Sequence, residues 1–361
     1  MNSTRARIGG VRIGLLLLSL GLFQCKEKVR THAWFAMDTE LSLTLFGKSP
    51  TPDDTVFSRV DKEARRLENL FSDFSSESGL SLVKGKIGDT VLVDAEIYRV
   101  LGQALEMAKV SHGAFDITLH DLKALWGIGG NGKGTLPGNA AIDSLMRNNP
   151  VYGASWELDS LPLPLTLLSG NRVQLHRSYT NLDLGAIAKG YTVDKIHQLL
   201  DSLGCGNHIL MAGGEIRLGG HKAASPWVVG IRHPRIPDSL CGLIRMDTAV
   251  SISTSGDYER FFILDGVRYH HLFDPRSGYP VRGPCAVTVM LKAGSMVADA
   301  LSTSLFVMGP EKGTKLATQY HATAVWFFER PEGLCAMTMA GFEGRLTLTG
   351  IPACSPTARL E

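Results

Sequence analysis

Apolar and polar positions along this chain follow two different periods. Residues 34–46 place leucine at every second position, which is typical of a half-buried strand, and further short strand patterns recur along the chain. Apolar residues three and four positions apart instead predict helices from Asp53, over 94–111, over 295–309, and within 181–203, where Gly185 and Gly190 flank the helix start. No internal repeat and no linker interrupts the pattern, so we predict one domain.

One hairpin is predicted with particular clarity. Asp265 and Gly266 separate two apolar runs, and a two-residue type I′ turn requires positive φ at both of its positions. His270 and His271 follow the second run, and Arg276 lies shortly after them. Adjacent histidines beside an arginine at one hairpin end favour a functional site over an ordinary loop.

Composition limits the classes of function. The chain has 361 residues, 44% hydrophobic and 20% charged, as in globular proteins. Its 37 Lys and Arg oppose 35 Asp and Glu, and a net charge of +2 argues against a nucleic-acid partner. The six cysteines form no CxxC pair, which indicates neither a zinc site nor a disulfide framework; one structural disulfide is compatible with the spacing.

The first 24 residues have the pattern of a signal peptide. Arg5, Arg7 and Arg12 precede an apolar run over 13–23 that is too short to cross a bilayer comfortably. Cys25 follows directly, as in bacterial lipoproteins, although the residue before it is not small. We therefore expect export to the periplasm and a lipid anchor on Cys25 that attaches the protein to a membrane.

Two helix starts carry residues suited to a phosphate and a metal ion. Gly185 and Gly190 flank the first, where free N–H groups and Lys189 would attract an anion. Asp299 and Thr303 lie four apart on one face of the second, and carboxylate and hydroxyl oxygens are ligands that Mg²⁺ accepts. Taken alone, the first pattern is usually plain helix capping and the second a surface hydrogen bond.

Several segments in the same order resemble the ApbE family, the FAD:protein FMN transferases. The longest is TSGDYERFFILDGVRYHHLFDPRSGYP, similar to the family's "TSGdYeryf…dGkryhHiidPrTGyP". GAFDITLHDLKALWGIG, NLDLGAIAKGYTVD, the GGE following residue 212, and ADALSTSLFVMG resemble further family motifs. The loop over 71–78 keeps only the spacing and the serines of its family counterpart.

The resemblance implies a single α+β domain over 33–349, with mixed, mainly antiparallel sheets and packed helices, followed by a flexible tail over 350–361. It also implies an activity. Such enzymes use Mg²⁺, take FAD as substrate, move its FMN half onto a Thr or Ser hydroxyl of an acceptor redox protein, and release AMP.

The family motifs also imply roles for individual residues. His271 matches the family's proton-accepting histidine, with His270 as the competing candidate. The metal ligands would be Asp299, Thr303 and the carbonyl group of Ala186. The FAD site would comprise Met37, Asp116, Ile117, Thr118, Asp183, Lys189 and Leu272. Asp116 is also placed to cap the helix that follows it, and Asp38 replaces the family's glycine after Met37.

Two other activities fit the same residues. A flavin carrier would hold FAD without transferring it and would need no metal site. An FAD pyrophosphatase would use water in place of the protein hydroxyl and would yield FMN and AMP.

Overall fold

The computed structural model describes residues 28–72, 78–83, 88–128, 133–147, 149, 152–154, 163–176, 182–222 and 225–354. The predicted signal peptide, Cys25 and residues 355–361 lie outside this range. The helices are α1 (Asp53–Phe71), α2 (Ala95–Val110), α3 (His120–Leu125), α4 (Asn139–Met146), α5 (Ala188–Ser202) and α6 (Ser295–Gln319). None of these helices is long and apolar enough to cross a membrane.

The strands are β1 (Val29–Ala36), β2 (Thr39–Phe46), β3 (Thr90–Leu92), β4 (Leu165–Leu168), β5 (Arg172–Leu175), β6 (His208–Ala212), β7 (Glu215–Gly219), β8 (Trp227–Arg232), β9 (Leu240–Met246), β10 (Val250–Gly256), β11 (Phe261–Leu264), β12 (Val267–His270), β13 (Phe273–Asp274), β14 (Tyr279–Pro280), β15 (Ala286–Leu291), β16 (Thr323–Arg330), β17 (Gly333–Thr338) and β18 (Leu346–Leu348).

One antiparallel sheet of eight strands organises the fold, in the order β1-β2-β6-β7-β10-β15-β16-β17. Helices α5 and α6 pack on one face of it, while a smaller sheet of β8, β9 and β18 shares a core with the other face. Strand β15 is therefore buried at every position. The predicted α+β domain with mainly antiparallel sheets is confirmed.

Helix α5 begins without a capping side chain of its own. Its N-cap is Ile187, whose side chain has no oxygen that could accept a hydrogen bond. The N–H of Gly190 instead donates to Asp299 Oδ2 of α6 at 2.9 Å. A Cβ at position 190 would collide with the carbonyl oxygen of Ser295, so the close approach of the two helices requires glycine. A carboxylate on α6 thus satisfies an unpaired donor of α5.

Helix α6 receives the same help from α5. Its N-cap is Gly294, and Asp194 of α5 accepts hydrogen bonds from the N–H groups of Ser295 at 2.6 Å and Met296 at 3.0 Å. Each helix therefore caps the other, which fixes both their separation and their rotation. Asp194 ends the motif NLDLGAIAKGYTVD, but the sequence pattern assigned it no role.

The structure corrects the predicted strand over 34–46. Residues 34–46 do not form one strand: they include the end of β1 and all of β2, which pair as a hairpin with Ala36 opposite Thr39 across a two-residue turn. Met37 and Asp38 occupy that turn with φ of 56° and 57°. Neither is glycine, so the usual hairpin signal is missing. The hairpin at Asp265, by contrast, forms as predicted.

The predicted domain limits also need correction. Strand β1 begins at Val29, before the expected start at residue 33. The tail expected to be flexible from residue 350 instead lies beside β17 as far as Cys354, whose disulfide to Cys335 ties it there. The N–H of Ala336 donates to the carbonyl of Pro352 at 2.9 Å. The pairing of Cys335 with Cys354, 19 residues apart, cannot be predicted from the local pattern of apolar and polar residues.

Replacing Asp194 with alanine is expected to lower the free energy of unfolding by about 1–2 kcal/mol, because two buried N–H groups lose their acceptor. Chemical denaturation monitored by circular dichroism measures this. Glu311→Ala, an exposed carboxylate on the same helix that Asp194 caps, serves as the control. Equal effects of the two substitutions would contradict the capping role.

Candidate active site

The site lies around the start of α5, where residues from distant parts of the chain meet. Lys189 approaches Asp299 of α6 at 3.8 Å, and the N–H of Asp183 donates to the carbonyl of Ile117 at 2.7 Å. Lys123 of α3 forms an ion pair with Asp183. The fold thus brings together the segments that the sequence pattern singled out separately.

Asp116 shapes the loop before α3. Its Oδ1 accepts from the N–H and the hydroxyl of Thr118 at 2.8 and 2.6 Å, and its Oδ2 accepts from the side-chain amide of Asn149 at 2.7 Å. The N-cap of α3 is Leu119, so the predicted capping role of Asp116 is wrong. Burial raises the pKa of Asp116, and these three donors oppose the rise.

Asp183 stays ionised beside Lys123. Burial by itself would raise the pKa of this carboxyl, but the Lys123 ammonium and the N–H of Gly185, 2.8 Å from Asp183 Oδ1, lower it to about 2. A fixed negative charge therefore sits at the entrance to α5. The sequence pattern gives Lys123 no role, because a lysine within an apolar helical pattern resembles an ordinary exposed residue.

The predicted metal ligands lie at the α5–α6 contact. Asp299 is 2% exposed, and burial raises its pKa while Lys189 and the Gly190 N–H act in the opposite direction. The hydroxyl of Thr303 lies 3.2 Å from that of Ser255. Ala186 is half-buried just before α5. Carboxylate, hydroxyl and carbonyl oxygens are the donors Mg²⁺ prefers, so this residue set fits the ion.

Glu215 is a buried acid that the sequence pattern did not assign to the site. It is 2% exposed at the start of β7. Its carboxyl group contacts the carboxyl group of Asp299 and the hydroxyl of Ser253. Its Oε2 meets no hydrogen-bond partner in the described part of the chain. A Cβ on the preceding Gly214 would collide with the carbonyl of Thr254, so this close backbone approach requires glycine.

The two adjacent histidines have different environments. His270 is buried; its Nε2–H donates to the carbonyl of Val281 at 3.0 Å, and its Nδ1 accepts from the N–H of Leu272 at 3.3 Å. Burial lowers its pKa to about 4. Both ring nitrogens of His270 are therefore engaged within the fold, which excludes it as the proton acceptor that the sequence left open.

His271 is half-buried and keeps one nitrogen for chemistry. Its Nδ1–H donates to the carbonyl of Arg260 at 3.3 Å, and its backbone N–H donates to the same oxygen at 3.0 Å. The tautomer this fixes leaves the Nε2 lone pair as an acceptor. Burial lowers the pKa of His271 well below its ordinary value, and the charges of Lys123 and Arg260 lower it further.

Arg260 connects this histidine to the β1–β2 turn. Its guanidinium pairs with Asp38 at 2.5 Å, and the N–H of the neighbouring Met37 donates to Glu68 Oε1 at 2.8 Å. Asp38 stands where the family motif has glycine, and it adopts a positive φ of 57°. Met37 is thereby placed on the His271 side of the site, whereas the Leu272 side chain is 6% exposed and belongs mainly to the core.

A second cluster with metal-ligand chemistry lies elsewhere on α5 and β6. His197, Asp201 and His208 lie close enough to share an ion. Arg217, however, donates to His197 Nε2 at 3.1 Å, His197 Nδ1–H donates to His208 Nε2 at 3.1 Å, and His208 Nδ1–H donates to the carbonyl of Cys205 at 2.8 Å. Every ring nitrogen is occupied, so this is a structural chain of neutral histidines.

Comparison with known proteins gives a consistent result. The model of the ApbE family matches residues 37–327. A Treponema pallidum protein named FAD:protein FMN transferase is 31% identical, over 86% of this chain and 88% of its own length. A Vibrio cholerae protein of the same name is 28% identical, over 92% of this chain and 97% of its own length.

Solved structures agree with the sequence relatives. The crystal structure of the ApbE protein from Thermotoga maritima superimposes with a TM-score of 0.75 at 29% identity, covering 88% of this chain and 99% of that one. The flavin transferase ApbE from Vibrio cholerae gives a TM-score of 0.72 at 25% identity, with the same coverage. The family match spans well over half of the sequence, and this chain therefore belongs to the ApbE family.

Proposed function

We propose that this protein is a Mg²⁺-dependent FAD:protein FMN transferase that acts on a Thr or Ser hydroxyl of an acceptor redox protein and releases AMP. One observation carries the proposal. The carbonyl of Arg260 orients His271 and leaves its Nε2 lone pair as an acceptor, and Lys123, whose charge acts on His271, forms the ion pair with Asp183 just before α5. This supports a single site that contains both a base and the start of α5.

The transfer step follows from this arrangement. The acceptor hydroxyl oxygen attacks the phosphorus of the FMN half of FAD, while its proton passes to His271 Nε2. A new phosphorus–oxygen bond forms to the acceptor, and the bond between that phosphorus and the bridging oxygen breaks. AMP leaves with the bridging oxygen. Phosphoryl transfer of this kind depends on positioning and on charge neutralisation.

The residues at the start of α5 would bind the pyrophosphate. Lys189 would supply a positive charge, and the dipole of α5 adds to it. The N–H groups of Ala188 and Gly190 are not available for this, because they already donate to the Leu184 carbonyl and to Asp299. Asp299, Thr303 and the Ala186 carbonyl would hold Mg²⁺, which neutralises charge that develops on the phosphate oxygens. The ionised Asp183 and the turn at Asp116 are fixed enough to position the flavin nucleotide.

We also propose that the protein is exported to the periplasm and anchored through Cys25. The basic and apolar pattern of the first 24 residues motivates this. The disulfide between Cys335 and Cys354 supports it, since such bonds persist in oxidising compartments and are rare in the cytosol.

The deciding experiment mixes the chain lacking residues 1–25 with FAD, Mg²⁺ and a protein carrying a Thr acceptor segment. Covalent flavin fluorescence on a denaturing gel, together with AMP in solution and loss of both on chelation, is the expected result. AMP and FMN without labelled acceptor would identify a pyrophosphatase. Bound FAD without turnover would identify a carrier.

Asp299→Ala is expected to abolish transfer, because the metal loses its buried carboxylate and α5 loses a capping acceptor. The assay is turnover across a range of Mg²⁺ concentrations, with Asp201→Ala, an exposed carboxylate on α5, as control. Normal turnover of Asp299→Ala at limiting Mg²⁺ would contradict the metal assignment.

His271→Ala is expected to bind FAD normally and to lose transfer by about 10²–10⁴-fold, the usual contribution of a general base. Equilibrium binding of FAD, measured by fluorescence quenching, separates the two effects. His270→Ala is expected instead to lower thermal stability, since its ring bonds two backbone groups within the core. Lost FAD binding in His271→Ala would make His271 a cofactor-binding residue.

The pH dependence of transfer tests the state of His271. Because its pKa lies well below the ordinary 6.5, the neutral base persists as the pH falls through 6.5. We expect kcat/KM to decline only at more acidic pH, and we expect the decline to move to higher pH in Arg260→Gln, which removes a nearby positive charge. A decline centred at or above pH 6.5 in the wild-type protein would contradict this.

A further inference from the structure

Glu215 occupies an unusual position for an acid. It opens β7 opposite Ser253 of β10, and its side chain reaches the space between the central sheet and the pair α5–α6. The residue is 2% exposed. Burying a carboxylate is unfavourable unless the protein pairs it, so a residue held at this depth needs a compensating partner.

Its partners in the protein are incomplete. Ser253 hydrogen bonds to the Glu215 carboxyl, yet Oε2 finds no partner among the residues that the structure describes. A carboxyl group with a purely structural role would be expected to use both oxygens. The two carboxyl groups are in contact, so this unsatisfied oxygen belongs to the same buried cluster as Asp299.

The charges around these two acids also do not balance. Within the described residues, the ammonium of Lys189 is the cation that acts on both Glu215 and Asp299. The Gly190 N–H adds a dipole to Asp299 but no full charge. When both acids are ionised, two buried carboxylates face one ammonium, and a further positive charge would balance them.

We propose that Glu215 is an additional ligand of the divalent cation held by Asp299 and Thr303. This inference rests on the proposed metal dependence and extends its ligand set to a second carboxylate, supplied by a strand. A divalent ion and Lys189 together carry three positive charges against two carboxylates. The net positive charge that remains would favour binding of the pyrophosphate, with β7 supplying one carboxylate and α6 the other.

Mn²⁺ is the probe, because it accepts the same oxygen ligands and its free form gives an electron paramagnetic resonance signal. Titration of the full chain without FAD measures binding independently of activity. Glu215→Gln keeps the shape and removes the charge, and it is expected to weaken Mn²⁺ binding by about tenfold or more, as is Asp299→Asn. Glu311→Gln, which changes an exposed carboxylate on α6, is expected to bind like the wild type.

Further variants and outcomes keep the test decisive. Glu215→Asp retains the charge and is expected to bind Mn²⁺ more tightly than Glu215→Gln; thermal denaturation verifies that each variant folds. Wild-type affinity in Glu215→Gln would overturn the inference, because a hydrogen-bonded carboxyl pair would then suffice. Absence of Mn²⁺ binding by the wild type would overturn it as well. Weakened binding in Glu215→Gln, with no flavin transfer by the wild type, would support the ligand while removing the proposed function.

Discussion

The mutual capping of α5 and α6 is the contact on which the site depends. Asp194 closes the first turn of α6, and Asp299 closes the first turn of α5, so neither helix can rotate or slide without exposing buried N–H groups. Gly190 and Gly294 permit this approach, because a Cβ at 190 would collide with the Ser295 backbone and a Cβ at 294 with the Asp194 carboxylate. Asp299 consequently has two tasks: it holds the architecture and it faces the proposed metal position.

Burial at this contact also sets the electrostatics. Burial raises the pKa of a carboxyl group, and the acids of the site differ in the positive charge that opposes this rise. Asp183 is compensated by Lys123 and remains charged. Asp299 and Glu215 share Lys189 and are left with excess negative charge if both ionise. Negative charge is therefore balanced at Asp183 near α3 and unbalanced at Asp299 and Glu215 near α6. A cation is best accommodated at the second position.

The two histidines illustrate how neighbouring residues acquire separate roles. Because successive residues of an extended segment point in opposite directions, His270 enters the core and His271 faces the site. The core satisfies both nitrogens of His270, whereas a single carbonyl group, that of Arg260, orients His271 and leaves Nε2 free. A hairpin end is well suited to this division, since its backbone is rigid and its last side chains alternate.

The sequence by itself determined the helices with clear apolar stripes, the Asp265–Gly266 hairpin, and the grouping of Asp299 with Thr303, because these depend on spacing along one element. It missed the Met37 turn, the disulfide to Cys354, and the roles of Lys123, Asp194 and Glu215. It also left His270 and His271 as alternatives. The Met37 turn was missed because neither of its residues is glycine. The other cases depend on partners outside the local pattern, and only the folded chain shows which groups meet and how deeply they are buried.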